Sequence, residues 1–304
     1  MKVAIVGDVH LTERNPRVRV DNFLETALKK LDYIASENDK VIILGDLFHT
    51  YANSDFFFYQ VYSLMKKHDG KFFTILGNHD LFHRSFSSLP RTTIGCLAKA
   101  GVLTIYTKPF EIDSLKFTVV QVDDNVKDIP VAEGDNTILL GHKYFEFPMC
   151  EAESLSKKDI RRLKYNLVFL GHDHQPYPEE FIGESTLIRM GSLTRIDSQM
   201  YNKDREICYY QIDSETGSYI IKKVPTKPVS ECCQEGAFDK VSGHDDFADA
   251  VSFIDIEKAI NKLSSSKSGQ HGISLNEVLL EMKVSQESID LIKEMYELSG
   301  TDYN

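Results

Sequence analysis

The chain has 304 residues, 42% of them hydrophobic and 27% charged, with a net charge of −11, enough apolar material for one large core and an appendage. No apolar run approaches the ~18 residues of a membrane span, and Met1-Lys2-Val3 enters a strand pattern directly, without a signal peptide, so a soluble, cytoplasmic protein is expected. Five cysteines (Cys96, Cys150, Cys208, Cys232, Cys233) show no C-x-x-C spacing, which reads as reduced thiols rather than a disulfide or thiolate-metal framework. The adjacent pair Cys232 and Cys233 lies in a polar stretch and carries no expected role.

In chain order, a strand at 2–6 ends in Gly7-Asp8-Val9-His10, and an amphipathic helix follows over about 20–37, with Phe23, Leu24, Ala27, Leu28, Leu31 and Ile34 at helical spacing. Strand 40–44 ends in Gly45-Asp46-Leu47-Phe48-His49. Helix 55–67 contains Phe56-Phe57-Phe58-Tyr59, which reads as a buried face through Phe58, Val61, Tyr62 and Met65 rather than a base-stacking platform. Strand 71–76 ends in Gly77-Asn78-His79-Asp80; helix 91–100 stops at Gly101, and strand 102–106 follows. Residues 110–122 read as a hairpin, and strand 136–140 ends in Gly141-His142. A basic helix spans 156–164, strand 166–170 ends in Gly171-His172-Asp173-His174, and strand 186–190 leads to Met190-Gly191-Ser192. A terminal hairpin pairs 206–212 with 218–224 across Asp213-Ser214-Glu215-Thr216-Gly217. Strands alternating with helices, then hairpins, predict a mixed-sheet α/β fold.

Five predicted strands thus end in glycine followed by hard, metal-seeking side chains. Gathered at one end of a fold, they supply two aspartates, an asparagine and several histidines, enough for two cations. Carboxylate oxygens and neutral imidazoles suit hard and borderline divalent ions, and the lack of thiolates argues against a soft-metal site. Two such ions about 4 Å apart can share a carboxylate, acidify a water and stabilise an in-line displacement at phosphorus. Glycine before each ligand allows a sharp turn and a close metal approach.

These segments resemble the calcineurin-like metallophosphoesterases, whose pattern runs Asp-x-His, Gly-Asp, Gly-Asn-His-Asp/Glu, Gly-His, Gly-His-x-His. Within that superfamily, Gly45-Asp46-Leu47-Phe48-His49 and the Gly191-Ser192 turn are similar to the DNA double-strand-break repair nucleases, bacterial SbcD and the phage recombination endonuclease subunit among them. The resemblance implies two stacked mixed β-sheets flanked by helices, with ligands on loops at one end. It implies Asp8, His10 and His174 on one metal, Asn78, His142 and His172 on the other, and Asp46 bridging, with manganese as the expected ion and iron or zinc also allowed by the donors. By the same resemblance His79 stabilises the transition state or protonates the leaving oxygen, Asp80 orients its ring, and His49 helps position a DNA backbone. His83 has no counterpart and is expected at the surface.

The expected reaction is metal-dependent exo- or endonucleolytic hydrolysis of DNA beside an SMC-like coiled-coil ATPase subunit (SbcC-like), in a bacterium or a phage-infected cell. Self-association into a homodimer is allowed. A small-molecule phosphodiesterase or a protein phosphatase is the alternative, since the same chemistry serves all phosphate esters. A charge of −11 is unusual for a DNA enzyme. Local basic groups offset it: Arg14, Arg17 and Arg19 after the first motif, Arg84 and Arg91 after the third, and Lys157, Lys158, Arg161, Arg162 and Lys164 in one helix. The first two groups are expected near the metals, against phosphates.

Beyond Pro225 the chain changes character, so the expected organisation is a catalytic domain over 1–225, a linker and reduced capping region over 226–272, and a helical partner-binding segment over 273–304. Ser274-x-x-Glu277 matches a capping box, and Ile289, Ile292, Met295 and Leu298 form an apolar stripe on a second helix. Helices this short are marginal alone. By the resemblance they clamp the coiled-coil base of the ATPase.

Overall fold

The computed structural model describes residues 1–121, 123–147, 154–197 and 199–238; the predicted segment 273–304 and most of 226–272 lie outside them. The chain divides into two units, Met1–Ile196 with Tyr201–Ala237, and Asp197–Met200 with Phe238–Asn304. The first unit holds the strands and helices that follow.

It contains, in chain order, β1 (Lys2–Val6), α1 (Phe23–Glu37), β2 (Lys40–Ile43), α2 (Asp55–Lys67), β3 (Phe72–Thr74), α3 (Thr93–Lys99), β4 (Thr104–Ile105), β5 (Phe110–Ile112), β6 (Leu115–Val120), β7 (Thr137–His142), β8 (Tyr144–Phe145), β9 (Ser154–Leu155), α4 (Lys157–Leu163), β10 (Leu167–Gly171), β11 (Glu180–Ile182), β12 (Ser185–Arg189), β13 (Cys208–Asp213), β14 (Tyr219–Lys223) and α5 (Val229–Cys232). Two six-stranded mixed sheets result, β14-β13-β1-β2-β3-β4 and β11-β12-β10-β7-β6-β5. In the first, β1 to β4 run parallel and β13 and β14 antiparallel. In the second, β6, β7, β10 and β12 are parallel, with β5 and β11 antiparallel at the edges.

The uninterrupted apolar runs are explained by burial on both faces. Alternate residues Val3 and Ile5 of β1, Ile42 of β2 and Phe73 of β3 meet Phe117, Ile138, Leu140 and Phe169 between the sheets. Their neighbours Ala4, Val6, Val41 and Ile43 face the other way, against Leu31 and Ile34 of α1 and Val61 of α2. On the far side of the second sheet, Leu139, Val168 and Leu170 pack with Ile160 and Leu163 of α4. The helices start where side chains cap them: Asn22 for α1, Ser54 for α2, Thr92 for α3, and a reciprocal Ser156–Asp159 capping box for α4.

Three local expectations change. In α2 the deeply buried stripe is Phe57, Val61 and Met65, while Phe58 and Tyr62 are only partly covered and Phe56 and Tyr59 face solvent. An i, i+4, i+8 row beginning one residue earlier satisfies the same periodicity, so the sequence alone did not fix the register. The short strands β8, β9 and β11 have too few residues to show a period, and β11 is an edge with Phe181 exposed. Cys232 and Cys233 are buried although their stretch of sequence is polar, because backbone bonds from Val20 to Cys232 and from Gln234 to Val18 tie this segment to the loop after β1. Among the described residues no helix is long and apolar enough to cross a membrane.

Lys30 is the one charged side chain of α1 in the core. Its Nζ donates to Leu193 O at 2.9 Å, and burial, reinforced by Arg19, Arg195 and Arg205, pushes its pKa down to about 7 from 10.5. Below pH 7 the folded chain carries the full cost of this charge. As pH rises from about 7 towards 10.5 the unfolded state holds the proton that the folded state has released, so stability rises. Lys30→Met is therefore expected to stabilise the fold at pH 6, on the order of 2 kcal/mol after the lost hydrogen bond. The gain should shrink towards pH 10 in thermal unfolding; a pH-independent effect would contradict this origin.

Candidate metal centre

The parallel strands β1, β2, β3, β7 and β10 direct their C-terminal ends to one edge of the sandwich, where the motif residues meet. Asp8, His10 and His174 bring three ligand atoms within 4.8 Å of one another, and Asp46, His142 and His172 do the same. Asp46 reaches towards both groups, with its Oδ2 3.2 Å from His142 Nε2 and 3.6 Å from His10 Nε2. Asn78 Oδ1 lies 3.1 Å from His142 Nε2. His10 Nε2 and His174 Nε2 converge at 2.8 Å. All seven expected ligands are thus gathered from both sheets.

The backbone is shaped around them. Val9 and His10 N–H groups donate to Asp46 O, Leu193 N–H to Asp8 O, and Ser192 N–H to His174 O. His172 N–H donates to Asp8 Oδ2 at 2.9 Å and His79 N–H to Asp46 Oδ1 at 2.9 Å, so each carboxylate is held by an amide from another motif. Three of these residues adopt the left-handed region without being glycine: His10 (φ 51°), Asp46 (φ 43°) and His172 (φ 86°). Such strain persists only where surrounding structure enforces it. The motif glycines act differently from one another. Gly45 turns the chain at φ +88°. Gly77 is required for proximity, since a Cβ there would stand 2.1 Å from Asp46 Oδ1.

The electrostatics favour cations. Burial raises Asp8 to about 6 despite the opposing charge of His142. Burial also acts to raise Asp46, but His142 and His79 hold it well below the usual carboxylate range. His142 is pushed up to about 9: burial opposes its charge, and Asp46 and Asp8 outweigh that. His10 and His172 fall well below 6.5 through burial and neighbouring histidines, which leaves their rings neutral and their lone pairs free to coordinate. Asp8 Oδ1, His10 Nδ1 and His172 Nε2 are buried without a hydrogen-bond partner. Orphaned oxygen and nitrogen acceptors beside two buried carboxylates fit divalent metal ions. His142 Nδ1 bonds Leu44 O at 2.7 Å, which directs Nε2 towards Asp46 and Asn78.

Around this core lie His49 and His79, which group with His10 within 4.8 Å. Their rings stack at 5.5 Å, and His79 Nδ1 lies 2.8 Å from His49 O. A carbonyl only accepts, so Nδ1 carries a proton. The expectation that Asp80 orients this ring is corrected. Asp80 is fully buried, accepts from Phe48 N–H at 3.2 Å and Gly77 N–H at 3.0 Å, and clamps the second motif to the third. Burial and the charge of Asp46 push it up to about 8.

Of the loop arginines, Arg19 is not available to phosphate: it is buried, paired at 2.8 Å with both oxygens of Asp21 and set over Phe23. Arg14, Arg17 and Arg91 are exposed, and the charge of Arg84 acts on His172. In the basic helix, Lys157 pairs with Glu180 at 2.6 Å and Arg162 donates to Val126 O at 2.8 Å. His83 is exposed, as expected. Tyr144, which the motifs did not single out, lies against His172 with ring centroids 3.9 Å apart; an aromatic two residues after Gly141-His142 was the only signal.

The model of the calcineurin-like phosphoesterase family matches residues 1–176. The chain is similar in fold to TT1561 of Thermus thermophilus, at 12% identity over 74% of this chain and 99% of that one, TM-score 0.43. It is also similar to a 5′-nucleotidase precursor of the same organism (9% identity, 87% of this chain, 59% of that one, TM-score 0.40). A third similar structure is nuclease MPE of Pseudomonas putida (16% identity, 68% and 83% covered, TM-score 0.35). No curated protein matches the chain.

Proposed function

The chain belongs to the calcineurin-like phosphoesterase family of metal-dependent hydrolases, and from that premise we propose that it is a DNA exo/endonuclease acting with two divalent cations, manganese foremost, as the nuclease subunit of an SbcC/SbcD-like complex. The observation that carries the reading is the His49–His79 pair at the edge of the metal centre, stacked at 5.5 Å. When a DNA phosphodiester is hydrolysed, the sugar oxygen that leaves phosphorus is a poorly stabilised alkoxide, so the reaction gains from a proton donor beside it. His79, with Nδ1 fixed on His49 O, has Nε2 left for that proton.

In this reading Asp8, His10 and His174 would hold one ion, Asn78, His142 and His172 would hold the other, and Asp46 would serve both. Bound there, the ions supply charge for the phosphoryl oxygens and lower the pKa of a water. The chain itself supplies the rest. Backbone amides of His172 and His79 hold the two carboxylates, the Leu44 carbonyl holds the His142 tautomer, and His49 fixes the His79 ring. Incubation of the full chain and manganese with linear duplex DNA, single strands, a chromogenic phosphodiester and a phosphomonoester tests the proposal. Chelator-sensitive DNA cleavage is expected; hydrolysis of the monoester alone would favour the phosphatase reading.

The partner proposal rests on the sequence of 273–304. Removing that segment should leave metal-dependent hydrolysis of short DNA within a few-fold and abolish co-purification with the coiled-coil ATPase, because tethering supplies the effective concentration. Ile292→Asp should act likewise by placing a charge in an apolar contact. Loss of intrinsic hydrolysis in the truncated chain would assign the tail to the catalytic core instead.

A further inference from the structure

We propose that Tyr51 and Phe82 form a stacking platform for a nucleobase adjoining the scissile phosphate, so that the enzyme takes DNA whose terminal or flanking base is unpaired. This rests on the phosphodiesterase reading and names the form of its substrate. The two rings lie 5.0 Å apart at 57°, and His83 packs on Phe82 at 3.9 Å. Both stay substantially open to solvent, Tyr51 at 38% and Phe82 at 45%.

Single exposed aromatics are ordinary, and this pair differs in where it hangs. Tyr51 is two residues beyond His49 and Phe82 three beyond His79, so their Cα atoms lie within roughly 7 and 11 Å of those histidines. The histidines in turn stack on each other and group with His10. The other exposed aromatics among the described residues, Phe56 and Tyr59 on α2, Phe86 seven residues beyond His79 and Phe181 on edge strand β11, follow no histidine of the centre this closely.

The loop that presents Phe82 is also built with effort. His83 (φ 49°) and Arg84 (φ 55°) are consecutive left-handed residues that are not glycine. Ser88 holds the turn: its Oγ accepts from Phe82 N–H at 3.1 Å and donates to Ser85 O at 2.6 Å, while Ser85 N–H donates to Phe82 O at 3.0 Å. Two rings at the rim of a phosphate site, on a constrained loop, match the way single-stranded nucleic acid is held, by stacking that tolerates any base. A paired base inside a duplex offers no free face, so fraying or extrusion has to precede binding.

The test uses the full chain with manganese and a single-stranded oligonucleotide carrying 2-aminopurine next to the cleaved bond, and the same strand with an abasic residue there. Wild type should quench 2-aminopurine on mixing. Phe82→Ala and Tyr51→Ala should lose the quenching and raise KM about 10- to 100-fold, Phe82→Trp should restore both, and the abasic strand should erase the difference between wild type and variants. Unfolding temperatures of the variants check that the fold is intact. Quenching that depends on Phe82 without any cleavage would keep the platform and sink the nuclease reading. Cleavage with unchanged quenching and KM in both alanine variants, or equal losses on normal and abasic strands, would overturn the platform.

Discussion

Asp46→Asn is expected to remove hydrolysis while leaving the fold in place. Asp46 is 1% exposed and its carboxylate stands 3.2 Å from His142 and 3.6 Å from His10, one member of each ligand group. Asparagine has the same shape and can still accept from the His79 amide, so the loop geometry survives. What is lost is the negative charge that two cations would share. Several kcal/mol of charge stabilisation are at stake, a rate loss of roughly 10³-fold or more. Metal content by elemental analysis should fall in parallel, and an unfolding scan should show a folded chain. A variant with wild-type rates, or an activity indifferent to chelator, would rule out the dinuclear centre.

His79→Ala separates proton chemistry from metal binding. His79 is adjacent to Asn78, yet its Nδ1 is engaged by the His49 carbonyl at 2.8 Å. Alanine removes the ring and keeps the backbone N–H that holds Asp46 Oδ1 at 2.9 Å. The variant should therefore retain both metals and lose activity by about 10²–10⁴-fold, the usual scale of an acid–base contribution. The loss should be smaller on a phosphodiester with a nitrophenolate leaving group, which departs without a proton. If metal is lost together with activity, His79 is a ligand and its assignment to proton transfer fails.

The sequence by itself determined the strand ends and the chemistry placed on them. Runs such as Val3-Ala4-Ile5-Val6 and Leu167-Val168-Phe169-Leu170 are apolar at every position, as a short strand covered on both faces requires, and each stops at a glycine followed by donors suited to hard metal ions. From that pattern the α/β class and a two-cation donor set followed without coordinates, and the resemblance carried by the motifs implied which seven residues are the candidate ligands. Tertiary structure alone decided which groups those side chains meet. Gly77 is glycine because the Asp46 carboxylate, from a different strand, lies against its Cα. Asp80 turns away from its neighbour His79 to clamp the amides of Phe48 and Gly77. Arg19, which by sequence was a candidate for phosphate, is neutralised by Asp21 and buried under the segment that carries Cys232 and Cys233. The Tyr51–Phe82 contact joins two loops distant in sequence and has no periodic signature. Periodicity reports only whether a residue is covered, whereas the partner of a buried charge or ring is set by chain segments distant in sequence that happen to fold against it.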